Sequence, residues 1–374
     1  MKKLLLLFMA LFVFCSFLQK NDMVLLPVVA DDNETVSLMF TGDIMGHSPQ
    51  YKAAYDAKTN TFDYSPCFRY VKPYIEEADF AIANLEVPLG GMPYSGYPNF
   101  SSPDALLDGL KNAGYDVMLT ANNHVLDRGK AGLERTIRTI ANRKLKHAGS
   151  YADKAQRDSI YPLILEKKGV RIALLNYTYG TNGHIAAYPN VVNVIDTVQI
   201  KEDIAKAKQK ADITVLTIHW GVEYELKGNE IQRQLARLFV REGVDLVIGG
   251  HPHVVQDAEF INKDSSTVTV FYSLGNSISN QRKIDTNGGI MVHVKIGVRS
   301  KKIINSTYLP VYVHRGILNN KYQFHLIPTI DFIKSPGSFP IPAADSTALI
   351  TFDKRTRERL STVSVFDKGL IYNL

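Results

Sequence analysis

Cysteine is almost absent: the 374-residue chain has two, Cys15 within an apolar N-terminal run and Cys67. If the N-terminal run is removed, Cys67 stands alone, which excludes an internal disulfide and leaves the fold to its core. Phosphate-cradling glycine loops are missing too. Neither GxxxxGK[ST] nor GxGxxG occurs, so no nucleotide cradle is indicated. There is no internal repeat and no long block of like charge. The net charge of +6 comes from scattered residues with only short pairs such as Lys167-Lys168. That describes a mildly basic solvated surface, and no nucleic-acid partner is expected. The apolar run Leu4–Leu18 falls short of the roughly 20 residues that a membrane-spanning helix needs.

What is present is ordinary for a packed globular chain: 45% hydrophobic and 21% charged residues, at a length suited to one large or two ordinary domains. Lys2-Lys3, the apolar run and Val28-Val29-Ala30 before Asp31 have the charge, length and small residues of a secretory signal peptide, residues 1–30. The chain is therefore expected to be exported, to the periplasm, the cell surface or the medium, with at most transient or peripheral membrane association. Phe14 stands before Cys15, where lipid attachment would call for a small residue, so a lipid anchor at Cys15 is the disfavoured alternative.

From residue 35 onward, strand and helix signals alternate. Thr35–Thr41, Asp79–Glu86, Tyr115–Thr120, Ile213–Ile218 and Val244–Ile248 read as buried strands. Tyr161–Glu166 and Val170–Tyr177 read as a hairpin, and Thr267–Ser273 and Ile290–Ile296 as later strands. Helical spacing covers Phe68–Ala78, a stretch from Ser102-Pro103 to Gly114, Gly129–Leu145, Ile200–Asp212 and Asn229–Gly243. The alternation predicts an α/β layer fold over residues 35–296. Residues 297–374 are richer in aromatics, prolines and strand-like pieces, and read as a small C-terminal appendage of unassigned role.

Several of these strands end in groups that ligate metals: Asp43, Glu86, Asn123-His124, His219, and His251 with His253. In a mostly parallel sheet, carboxyl ends share one edge, which is where such sheets hold ligands. In an extended segment, residues i and i+2 point the same way, so His251 and His253 are expected to converge. Each residue alone has a duller reading: Asp43 as a turn cap, Glu86 as a solvated acid, His219 as a buried histidine bonded to backbone. Their coincidence over successive strands favours a site. Oxygen and imidazole donors without thiolate suit Zn, Mn or Fe, not a zinc–cysteine structural centre.

The ordered motifs Thr41-Gly-Asp-Ile-Met45, Asn84-Leu-Glu86, Ala121-Asn-Asn-His124 with Asp127 and Gly129, His219-Trp-Gly-Val-Glu-Tyr224, Gly249-Gly-His-Pro-His253 and Tyr272-Ser-Leu-Gly-Asn276 resemble those of the CapA family, associated with poly-γ-glutamate capsule synthesis and export. The resemblance implies a four-layer α/β/β/α sandwich like that of calcineurin-like metallophosphoesterases. It also implies a dinuclear centre, with Asp43, Glu86 and His253 around one ion, and Glu86, Asn123, His219 and His251 around the other. His124 would be the general acid. The phosphoesterase pattern begins Asp-x-His, whereas Asp43 is followed by Ile44 and Met45, so the first ion would lack one imidazole. His47, Glu223 and Asn276 are further candidates for a ligand, a supporting hydrogen bond or a substrate contact. The expected function is metal-dependent hydrolysis or transfer on an anionic polymer or phosphoester, alongside envelope synthesis and export proteins. The alternatives are a non-catalytic component of such an assembly that binds metal and carboxylates, and a secreted metallophosphoesterase.

Overall fold

The computed structural model describes residues 32–264, 266–318 and 321–368. The signal-peptide segment and Cys15 lie outside the described residues. The main strands are β1 (Thr35–Ile44), β2 (Phe80–Leu85), β3 (Val117–Leu119), β4 (Lys146–Ala148), β5 (Leu163–Lys167), β6 (Val170–Thr178), β7 (Ile213–His219), β8 (Leu246–Gly250), β9 (Ala258–Lys263), β10 (Ser266–Phe271), β11 (Asn276–Ile278), β12 (Gly288–Gly297), β13 (Ile303–Leu318) and β14 (Lys321–Pro328). The longer helices are α1 (Ala105–Asn112), α2 (Gly129–Asn142), α3 (Thr197–Lys210), α4 (Glu230–Glu242) and α5 (Ala343–Arg359).

The strands form two large sheets. The first runs β14-β13-β12-β1-β2-β3-β4 with β11 beside β1, and the second runs β9-β10-β8-β7-β6-β5. The sheets face each other across a common core. Val36, Leu38 and Phe40 of β1 lie in one apolar cluster with Ile172 and Leu174 of β6, Val215 of β7 and Leu246 and Ile248 of β8. Because successive side chains alternate between faces, Met39 of β1 turns to the outer side, where it clusters with Leu106, Leu107 and Leu110 of α1. On the far side of the second sheet, Leu175, Leu216 and Val247 meet Ile200 and Ile204 of α3 and Ala236 and Phe239 of α4. The order helix, sheet, sheet, helix is the four-layer α/β/β/α sandwich. Burial on both faces explains why the central strands read as continuous apolar runs.

Residues after 297 join the edge of the first sheet. β13 pairs antiparallel with β12, and β14 pairs with β13. Tyr308, Tyr312 and Ile327 enter the core between the sheets, with Phe352 of α5. The helix expected over Phe68–Ala78 is instead two single turns, Ser65–Phe68 and Lys72–Ile75. Pro73 sits at the start of the second turn; a proline donates no N–H to the preceding turn and crowds its carbonyl, so the helix restarts there. α1 begins after Asp104, two residues beyond the expected Ser102 cap. Among the described residues no helix is long and apolar enough to cross a membrane.

The register aligns the functional ends. Asp43 lies opposite Asn84 on β2 and Asn276 on β11, and His219 lies opposite Gly250 on β8 and Thr178 on β6. Glycine lets the backbones meet at this edge. A Cβ on Gly249 would stand 2.0 Å from the Tyr272 carbonyl oxygen and 2.6 Å from Trp220 Nε1, distances that no side chain tolerates.

Candidate metal centre

The site lies where the carboxyl ends of β1, β2, β6, β7 and β8 meet. Asp43 and Glu86 are fully buried, and Asn123, His124, His219, His251 and His253 are nearly so. Donor atoms of Asp43, Glu86 and His253 lie within 4.8 Å of one another, and so do those of Glu86, His219 and His251. The two groups share Glu86.

Asp43, His219 and His253 are held by neighbours. Asn84 donates from Nδ2 to Asp43 Oδ1 at 2.7 Å and also lies 3.3 Å from His219 Nδ1. His219 Nε2 faces Asn123 Oδ1 at 2.9 Å and Glu86 Oε1 at 3.4 Å. Asn123 Oδ1, His219 Nε2 and Glu86 Oε1 thus converge. His253 Nδ1 faces Asn276 Oδ1 at 3.2 Å and Asp43 Oδ2 at 3.4 Å, so its proton sits on Nδ1. Nε2, 3.8 Å from Glu86 Oε1, is left as the ligating atom. Asn276 is itself fixed by donation to the His253 carbonyl, Gln281 Oε1 and the Thr286 carbonyl, at 3.2, 2.9 and 2.9 Å. Ligand imidazoles are ordinarily oriented in this way by an acceptor on the other ring nitrogen.

The segment 251–253 is not extended. His251 has φ +97° and His253 φ +58°, so the chain turns sharply after β8. The two imidazoles therefore join different donor groups and do not converge through strand alternation. Non-glycine residues with positive φ carry backbone strain, and such strain is concentrated at functional sites.

Donor chemistry and burial fit a cation. Both Glu86 carboxylate oxygens and His251 Nδ1 are buried and have no hydrogen-bond partner. A carboxylate held without a donor in a dry site costs several kcal/mol unless a positive group compensates it. The electrostatics agree. Burial, reinforced by the charge of Asp43, pushes the Glu86 carboxyl well above its ordinary range. Burial lowers His219 to about 3, and burial with the adjacent His219 and His253 lowers His251 to about 2, so both are neutral and ready to ligate. Burial opposes the charge on His253, but the charge of Glu86 and the hydrogen bond to Asp43 outweigh it and raise the imidazole to about 9. Burial likewise opposes ionisation of Asp43, yet the His253 hydrogen bond and the His219 and His253 charges hold its carboxyl far below the usual range.

A pH prediction follows. A metal must displace protons from His253 and Glu86, so loading at neutral pH is expected to release protons and to tighten as pH rises toward 9. Calorimetric titration in buffers of different ionisation enthalpy measures that release. In the metal-free protein, the raised pKa of His253 means that the folded state binds more protons between pH 6.5 and 9. Its contribution to stability is complete below about 6.5 and is lost as pH rises through 9.

His124 stands beside the donor groups and belongs to neither. Its Nδ1 donates to Asp127 Oδ2 at 2.8 Å, and the Phe100 N–H donates to the same oxygen at 2.8 Å. Phe100 packs edge-on against the ring at 4.7 Å. Nε2 is thereby left as the nitrogen that can take up and pass on a second proton. His47 lies apart from the donor groups, with Nδ1 accepting the Asn280 N–H at 3.3 Å and its ring edge-on to Phe100 at 5.4 Å. Glu223 is exposed at the rim, outside both donor groups. Sequence reasoning missed Tyr179, whose ring packs 4.5 Å from His251, and Asn182, which accepts from Asn123 Nδ2 at 3.3 Å. Both follow the carboxyl end of β6, and treating that strand as half of a hairpin hid this strand end.

Residues 37–281 match the family of the bacterial capsule synthesis protein PGA_cap. The capsule biosynthesis protein CapA of Bacillus anthracis is 29% identical over 80% of this chain and 73% of its own length. The PGA biosynthesis protein CapA of Bacillus subtilis is 31% identical over 70% of this chain and 69% of its own. A solved phosphatase from Mycoplasma pneumoniae is 15% identical and overlays 75% of this chain and 94% of its own at a TM-score of 0.45. With a match across the whole sandwich edge that carries Asp43, Glu86, His219 and His253, the chain belongs to the bacterial capsule synthesis family PGA_cap.

Proposed function

We propose that the protein is an exported metal-dependent enzyme of capsule polymer synthesis, breaking or transferring a linkage of a poly-γ-glutamate-type chain at a two-ion centre. The observation that carries this reading is Glu86: fully buried, without a hydrogen bond to either oxygen, and shared by the two donor groups. Asp43, Glu86 and His253 would hold one ion, and Glu86, Asn123, His219 and His251 the other. Divalent Mn, Zn or Fe bound there supplies Lewis acidity toward the scissile group. The protein's own part is to position and to move protons. His124, with Nδ1 engaged by Asp127, delivers a proton from Nε2 to the departing atom. Tyr179 covers His251 and limits water on that side. The setting implied by capsule synthesis is the cell envelope, among synthesis and export proteins.

The test is an assay of purified full-length protein, stripped of metal and reloaded with Mn or Zn, on a γ-linked glutamate polymer and on a phosphodiester. Metal-dependent release of products from the polymer is expected. Full metal loading without turnover of either compound would replace the enzyme with a non-catalytic component that binds metal and carboxylates, and turnover of the phosphodiester alone would indicate a secreted phosphoesterase.

A further inference from the structure

The loop after β11 touches the candidate centre on one edge and a basic cavity on the other. Asn276 holds His253 Nδ1 through Oδ1 and uses Nδ2 to hold Gln281 and Thr286 at 2.9 Å each. Between this loop, β13 and α5 lies a cavity of about 260 Å³. Its charged lining is Arg282, Lys283, Arg315 and Arg355 against a single carboxylate, Asp285. Asp285 is already taken: Arg355 meets it at 2.8 Å and Arg359 at 3.5 Å. Among the described residues, Arg282, Lys283 and Arg315 form no ion pair with a carboxylate. Arg315 donates to the Gln281 carbonyl, and Lys283 Nζ lies 3.5 Å from the centroid of the Tyr224 ring. That ring in turn lies 6.4 Å from His253. The rest of the lining is mixed, with an apolar stretch from Ile284, Ala348 and Phe352 beside the polar Asn287 and Thr351.

We propose that this cavity is a carboxylate-binding subsite that holds a segment of the anionic polymer next to the metal centre, a proposal that rests on the function proposed above. Guanidinium groups bind carboxylates through paired, charge-assisted hydrogen bonds. The apolar stretch of Ile284, Ala348 and Phe352 suits the polymer's methylenes, and Asn287 and Thr351 offer polar groups to its amides. Burial and the nearby Arg282 depress the Arg315 guanidinium below its ordinary value, so an anion placed between the two relieves their repulsion. All of these cavity residues follow the family match, which ends at residue 281. The segment after residue 281 thereby acquires a role: it completes the substrate surface beside a centre built by the segment before it.

The test uses the full-length protein and a fluorescent γ-linked glutamate oligomer, with the same oligomer amidated at its side carboxyls as control. Arg282 and Lys283 are exposed, so R282A/K283A is expected to fold, and its thermal midpoint and metal content should equal those of the wild type. Affinity for the oligomer is expected to fall about ten-fold at low ionic strength, less at high salt. The amidated oligomer is expected to bind no better to the wild type than to the variant. R282K/K283R, which keeps the charges, is expected to recover most of the affinity. Unchanged affinity in R282A/K283A, or equal binding of the amidated oligomer, would overturn the subsite. The two proposals fail separately. A metal-loaded wild type that turns over polymer while R282A/K283A binds it undiminished removes only the subsite. A wild type without turnover whose oligomer binding depends on Arg282 and Lys283 removes only the catalytic reading.

Discussion

Replacing Glu86 with glutamine is expected to reduce bound divalent metal to a small fraction of the wild-type content and to lower kcat/KM by roughly 10³-fold or more, since Lewis-acid stabilisation is worth several kcal/mol at 1.36 kcal/mol per decade. The reason is its position. Asp43 with His253, and His219 with His251, form separate groups that only the Glu86 carboxylate joins. An amide keeps the shape and loses the charge, so one substitution removes a donor from both groups. The fold should survive. Burial already pushes the Glu86 carboxyl toward its neutral form in the metal-free protein, and glutamine resembles that form. Metal analysis together with thermal unfolding separates loss of the ions from loss of structure: metal content falls, while the thermal midpoint of the metal-free protein does not.

His124→Gln gives the opposite pattern. The side chain lies outside both donor groups, so metal content is expected to match that of the wild type while kcat falls by about 10²- to 10⁴-fold, the usual contribution of a positioned proton donor. The buried Asp127, bonded to His124 Nδ1 at 2.8 Å, fixes which ring nitrogen carries the proton toward substrate. Steady-state kinetics beside metal analysis reads both quantities. Equal loss of metal in His124→Gln and Glu86→Gln would place His124 among the ligands and remove its role as acid.

The α/β layering was legible in the sequence because its central strands are buried on both faces, and the four-layer form came from the family resemblance. Leu38 to Phe40 and Leu246 to Ile248 are apolar without alternation, and the helices that cover them carry the 3.6-residue period. The donor residues were legible for a related reason. A parallel strand presents its carboxyl end to a common edge, so Asp43, Glu86, His219 and His251 could be read one strand at a time. What failed depended on backbone dihedrals or on distant partners. The positive φ of His251 and His253 is a backbone conformation that the His-x-His spacing does not reveal. Asn84 as the holder of Asp43, and Tyr179 as the neighbour of His251, needed the register of β1 with β2 and of β6 with β7. The place of residues after 297 depended on their pairing with β12, which an edge strand's composition does not announce. The charge of Arg282, Lys283 and Arg315 was visible, but their assembly around one cavity was not, because Arg315 and Arg355 arrive from β13 and α5.

The most direct measurement is anomalous X-ray diffraction from crystals of the full-length protein loaded with Mn or Zn, recorded at the absorption edge of the metal. The account predicts two peaks on either side of the Glu86 carboxylate, one bounded by Asp43 and His253 and the other by Asn123, His219 and His251. Loaded crystals with no peak between these side chains, or with metal bound only elsewhere on the protein, would contradict it.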